Sequence, residues 1–242
     1  TAVSMDFWNV RVEDVLVGQE SSSYRVNGEI PVIPLESFSD EVASAMEDVS
    51  QKMEEQDLYL NSSPGYWLRT FDRWADCEEF IGFPLNNPLE KSSLLETANY
   101  FAIAQDAETL NEESQRHCAV ALQGNIKGEL QHVTIDTGYL MGPIRIQMTV
   151  SLYPEGSGME PGTGGSWNGE AEFEITSGVT GEGIPYTLVV SETPESDYYN
   201  DFSSADAYFV LKNGLYTLDA VSPGRDSGAD AKAALEELLA LF

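Results

Sequence analysis

Two cysteines and two histidines are the softest chemistry the chain offers. Cys77 and Cys118 can bridge, or they can sit as two buried thiols. The expectation is a Cys77–Cys118 disulfide formed in an oxidising compartment. Closing the loop of roughly forty residues between them would contribute about 3–4 kcal/mol on the chain-entropy model. Neither cysteine lies in a Cys-x-x-Cys, which disfavours a thioredoxin-type site. His117 adjoins Cys118, and neighbours in a strand point to opposite faces. With His132 as the other histidine, three or four convergent zinc ligands are not expected. No His-Glu-x-x-His is present. The expectation is therefore no metal and no cofactor.

Other catalytic patterns fare no better. No Gly-x-Ser-x-Gly falls at a strand–turn–helix junction, so a serine nucleophile elbow is unsupported. The glycine-rich stretch 154–169 lacks a Gly-Lys-Ser/Thr ending and a following helix pattern. Its Glu155 and Glu160 would repel phosphate, so it reads as a long mobile loop between strands. Glu170, Glu172 and Glu174 line one side of a strand at period two, the pattern of a solvated face. Two carboxylates across a cleft would instead serve a glycosidase. No EF-hand loop occurs. The remaining candidates are aromatics in polar loops: Trp167 in 154–169, and Tyr198, Tyr199 and Phe202 in 194–205. Aromatic side chains on loops supply contact area at small entropic cost, so these four are the expected binding residues.

The elements that must position them follow from periodicity. Phe7 to Val17 and Tyr24 to Ile33 read as strands about an Asn27-Gly28 turn. Phe38, Val42, Ala45, Met46, Val49 and Met53 recur at helical spacing, with Ser37 or Ser39 as the cap. Trp67, Phe71 and Trp74 fall on one helical stripe, and Asn87-Pro88 starts a further helical turn. Ile144, Ile146, Met148 and Val150 alternate with polar residues as a half-buried strand. Asn213-Gly214 turns one strand into the next, and 230–242 is an amphipathic helix. The expected architecture is one α+β domain over 1–242, helix-rich at 37–116 and strand-rich at 117–221. A largely antiparallel sheet of about six to eight strands would be covered by helices on one face.

The charge balance narrows the partners. Forty-one acidic residues face twelve basic ones, for a net charge of -29. Phosphate backbones are repelled by such a surface, which excludes nucleic acid. No run of 18 apolar residues is present, so a membrane is expected only through a lipid anchor upstream. The acids serve solubility, salt adaptation or a cationic partner such as a metal ion or basic peptide.

The closing segment, Ala207-Tyr208-Phe209-Val210-Leu211-Lys212-Asn213-Gly214-Leu215-Tyr216-Thr217-Leu218 followed by the Ala/Leu-rich helix to Phe242, resembles the ending of actinobacterial cell-envelope lipoproteins and extracellular sensor-like domains. The resemblance covers about 35 residues by pattern, carries no functional residue over, and implies an α+β, disulfide-stabilised, non-enzymatic domain. The functional expectation is an extracellular or cell-surface binding or sensor-like domain, its ligand a protein, peptide or small molecule. The alternative is a secreted or salt-adapted hydrolase using paired carboxylates.

Overall fold

The computed structural model describes residues 10–55, 65–98, 116–125, 127–192, 202–224 and 227–242. The first half runs β1 (Val10–Val17), β2 (Ser21–Gly28), β3 (Val32–Ile33), α1 (Asp40–Glu55), β4 (Gly65–Phe71), α2 (Trp74–Ile81), a 3-10 turn (Pro88–Lys91) and β5 (Glu96–Ala98). The second half runs β6 (Cys118–Gly124), β7 (Leu130–Met141), β8 (Ile144–Pro154), β9 (Thr163–Asn168), β10 (Glu172–Val179), β11 (Pro185–Glu192), β12 (Phe202–Leu211), β13 (Gly214–Pro223) and α3 (Gly228–Leu239).

The expectation of an α+β fold built on a mostly antiparallel sheet holds, but six to eight strands is too few. The large sheet has ten strands: β10-β11-β12-β13-β8-β7-β6-β4 in order, with β3 beside β8 and β5 beside β7. Part of the surplus comes from the stretch read as helical. Gly65–Phe71 pairs antiparallel with β6, Phe71 opposite Cys118. Trp67 and Phe71 therefore stand on one side of a strand rather than on a helical stripe with Trp74, which opens α2. Their spacing suits either period, and the β-prone run Tyr-Trp-Leu-Arg-Thr-Phe decides for the strand once β6 offers an edge.

Alternation sorts the sheet's two faces. Ile146, Met148, Val150 and Leu152 of β8 are fully buried in the main core with Val42 and Met46 of α1, Phe80 of α2 and Leu235 of α3. The intervening positions of the central strands are polar, among them Arg145, Gln147, Thr149 and Asp136. A second core holds Val10, Tyr24, Val26, Tyr153, Val189, Tyr208 and Leu215. It draws on a separate three-stranded sheet, β1-β2-β9.

That small sheet overturns the reading of 154–169 as a mobile loop. Residues 163–168 pair with β2, Gly165 opposite Tyr24. A Cβ at Gly164 would strike the backbone oxygen of Tyr24, and one at Gly165 would meet the rings of Tyr24 and Trp167. The glycines permit two strands and two rings to press together.

Helix starts and ends are tied to tertiary contacts. Ser39 Oγ accepts from Val42 N at 3.2 Å and donates to the Phe80 carbonyl, capping α1 while joining it to α2. The β10–β11 turn docks on the end of α3: Gly181 N donates to Leu239 O at 3.1 Å, and Glu182 N to Phe242 O at 2.9 Å. A Cβ at Gly181 would collide with the Ala240 carbonyl. Gly181→Ala should therefore destabilise the protein by about 1–3 kcal/mol through overpacking. An unchanged urea midpoint would show that the turn moves aside freely.

Candidate functional site

Among the described residues, a convergence of reactive groups lies where α2, the 3-10 turn, β5 and the entry to β6 meet. Asn87 holds the turn: its Oδ1 accepts from Leu89 N at 3.2 Å and its Nδ2 donates to Tyr139 Oη at 2.9 Å. The turn thus presents Glu90, whose Oε1 accepts from Trp74 N at 3.2 Å at the start of α2. Cys77 projects from α2 one turn further on, fully buried. His117 precedes β6 in a bend, and Cys118 opens the strand, fully buried.

The expectation that His117 and Cys118 point to opposite faces fails here. His117 stands outside the strand, so strand alternation does not govern it. Its Nδ1 lies 3.1 Å from Ala98 O. Its Nε2 lies 3.0 Å from Thr137 Oγ1 and 3.8 Å from Glu90 Oε1. Tyr139 meets the ring edge-on at 5.0 Å. Cys118 Sγ reaches Thr137 Oγ1 at 3.6 Å. One donor atom each from Glu90, His117 and Cys118 lies within 4.8 Å of the others.

The expected disulfide is absent. Cys77 and Cys118 do meet, as the bridge required, but both are free thiols. Their sulfurs share a hydrogen bond instead of a covalent bond. That bond pushes the Cys118 thiol down to about 6 against the opposing effect of burial, with help from His117 and Thr137. The same bond, with burial, pushes Cys77 up. Burial works against protonation of His117, but the Cys118 sulfur, the Ala98 carbonyl and Glu90 carry it above its ordinary value. Cys118 is thus the sulfur drawn toward the thiolate form, with the Cys77 thiol and His117 beside it. With no exposed sulfur, this thiolate is suited to holding a cation in place rather than to attacking a bulky substrate.

A second polar cluster lies between the large sheet and the small one. Asp206 of β12 and Asp219 of β13 are register partners, and their carboxyls are hydrogen-bonded. Tyr24 Oη lies 3.2 Å from Asp206 Oδ2 and 2.7 Å from Tyr208 Oη. Burial, then the neighbouring Asp219 charge, raises Asp206 well above the ordinary carboxylate range. Burial lifts Asp219 to about 6, opposed by the Asp206 hydrogen bond and Arg145. Asp206 is the proton-bearing partner. Inverting or retaining glycosidases separate their carboxyls by about 5–9 Å to admit water or sugar; this pair is in direct contact. The carboxylates singled out in the sequence lie elsewhere. Glu172 and Glu174 are exposed on β10, and Glu174 pairs with Lys232 at 2.6 Å.

Of the four loop aromatics, Trp167 and Phe202 are described, both half-buried. Trp167 stacks on Tyr24 at 5.6 Å and tilts against Phe173 at 5.1 Å, closing the second core. Phe202 begins β12 opposite Pro223. Tyr198 and Tyr199 lie outside the described residues. The structure thus places Trp167 in packing within the second core and Phe202 at the start of a large-sheet strand. A half-exposed aromatic appears instead at Trp67, stacked on Phe80 at 5.0 Å with the rings 4° from parallel. The pair walls a groove of about 420 Å³ between α1 and β4, rimmed by Asp40, Glu41, Glu47, Asp48 and Arg69. Sequence periodicity did not find it, because it set Trp67 on a helical stripe with Phe71 and Trp74 rather than on a strand beside α1.

No family model, no curated protein and no solved structure matches this chain.

Proposed function

We propose that this chain is a non-enzymatic binding domain of an extracellular or cell-surface setting, and that it takes a cationic ligand in the groove between α1 and β4. The observation that carries the reading is the Trp67–Phe80 stack beneath four carboxylates. An aromatic face attracts Lys, Arg or ammonium groups, and neighbouring acids supply the charge. Arg69, the one cation among the described residues lining the groove, is partly engaged: it lies 4.0 Å from Glu41 and over the Phe71 ring at 5.1 Å. The net charge of -29 steers cations toward the molecule at large. The direct contact of Asp206 with Asp219 supports binding over carboxylate hydrolysis. The cell-surface setting rests on the acidic composition and the hairpin–helix resemblance; the free thiols withdraw the disulfide from that argument.

The test uses a short oligolysine peptide titrated into the full chain by calorimetry at moderate and high salt. Trp67→Ala should weaken binding by about 3- to 30-fold, the range of one cation–π contact, while Glu172→Gln on β10, at the opposite edge of the large sheet from β4, should change it little. Equal weakening by both would reduce the interaction to diffuse charge attraction and overturn the assignment.

A further inference from the structure

The cluster at the head of β6 carries a separate function. We propose that Glu90, His117, Cys118 and the adjoining Cys77 form a centre for a single divalent cation of zinc's chemistry. Three independent elements deliver the donors: α2, the Asn87-capped turn and the start of β6. Tetrahedral zinc at bond lengths of 2.0–2.3 Å sets its ligand atoms about 3.3–3.8 Å apart. His117 Nε2 and Glu90 Oε1 are already 3.8 Å apart, and the set of three lies within 4.8 Å.

The orientation of His117 is that of a ligand. Hydrogen bonding of Nδ1 to the Ala98 carbonyl at 3.1 Å places the ring proton there and turns the Nε2 lone pair toward Glu90 and Cys118. Metal-bound histidines are commonly fixed in this way by a backbone carbonyl. The lone pair, the carboxylate and the deprotonated Cys118 sulfur are three acceptors that one cation would join. In the cation-free protein the Thr137 hydroxyl lies against Nε2 and the Cys118 S–H donates to Thr137 Oγ1. On binding, a metal–sulfur bond forms at each cysteine that ligates, the S–H bond breaks, and the proton leaves to solvent. Thr137 then stands beside the sulfur as an outer partner. Glu90 is the most exposed member, with a third of its side chain accessible, and marks the side from which an ion enters. With Glu90, His117 and Cys118 as three ligands, Cys77 beside Cys118 is the side chain that would complete a tetrahedral, structural centre.

The experiment takes the full chain, purified under reducing conditions and stripped with chelator, in excess Mg²⁺ to occupy surface carboxylates. Co²⁺ and then Zn²⁺ are titrated in. The expected result is one Co²⁺ per chain with a thiolate-to-cobalt charge-transfer band, displaced by one Zn²⁺, and a melting temperature that rises with Zn²⁺. Cys118→Ser should abolish the charge-transfer band or weaken Co²⁺ binding by at least about 100-fold. Should Cys118→Ser not fold, His117→Gln keeps both sulfurs, and the expected weakening is similar. A titration without the charge-transfer band overturns the proposal. So does binding indifferent to both substitutions, or a Cys77–Cys118 disulfide found by mass in protein purified without reductant. Oligolysine binding at the Trp67 groove is independent of all these outcomes.

Discussion

Asp206→Asn is expected to stabilise the protein, and to do so increasingly as pH rises. Asp206 is buried, hydrogen-bonded to Asp219 and to Tyr24, and its pKa in the folded state is raised. Below the unfolded value near 4 both states carry the proton, and the group costs nothing. Above it the unfolded chain releases the proton while the folded protein keeps it, so stability falls as pH rises toward the folded pKa. Asparagine retains the shape, donates to Asp219 and accepts from Tyr24 without needing a proton. The variant should match the parent near pH 4 and exceed it by up to about 4 kcal/mol at pH 7, the cost of protonating an ordinary aspartate there. His132, stacked on Tyr153 and lowered to about 4 by burial, pulls the other way on acidification. It is common to both proteins and cancels in the difference. Urea unfolding of the pair at pH 4.5, 6 and 7.5 checks this. A difference that does not vary with pH would show that Asp206 is ionised in the folded protein.

Phe242→Ala should cost about 3–5 kcal/mol, the range for removing a buried aromatic ring. Phe242 is fully buried. It meets Phe209 edge-on at 5.0 Å and Tyr216 at 6.0 Å, while those two rings stack on each other at 5.3 Å. The three rings fasten α3 to β12 and β13. Chemical denaturation reads the loss directly, and a cost below 1 kcal/mol would mean that the cluster collapses into the space without penalty.

Strong periodicity was legible where one face of an element meets the core. Val42, Ala45, Met46 and Val49 mark α1, and Ile146, Met148 and Val150 mark β8, in sequence as in structure. Glycine misled in one place: at 164 and 165 it signals close approach of β2 rather than a loop. The two polar clusters were hidden for different reasons. Asp206 and Asp219 face each other through the β12–β13 register, and centring the turn on Asn213-Gly214 would have set Asp206 opposite Val221. The chain turns one residue earlier, with a positive φ at Lys212. His117 and Cys118 converge because the strand begins between them, and a boundary shifted by one residue reverses which side His117 takes. Trp67 lacked any signal of exposure, since nothing in its neighbourhood tells a groove wall from a core.

The small sheet links parts of the chain that are far apart along it. Tyr24 reaches Tyr208 across 184 positions, and Thr187 Oγ1 donates to Val10 O across 177. Such contacts close very large loops, whose entropy is lost before any contact rewards it. The hairpin β1–β2 can form early, yet it has nowhere to dock until β11, β12 and β13 are laid side by side. The expected order is that β10 to β13 pair with β8 and β7 first, and that the amino-terminal hairpin, with β9 along its edge, closes over Asp206 and Asp219 last. The aspartate pair loses its water in that final step, so the proton it retains is taken up at the end of folding rather than at its start.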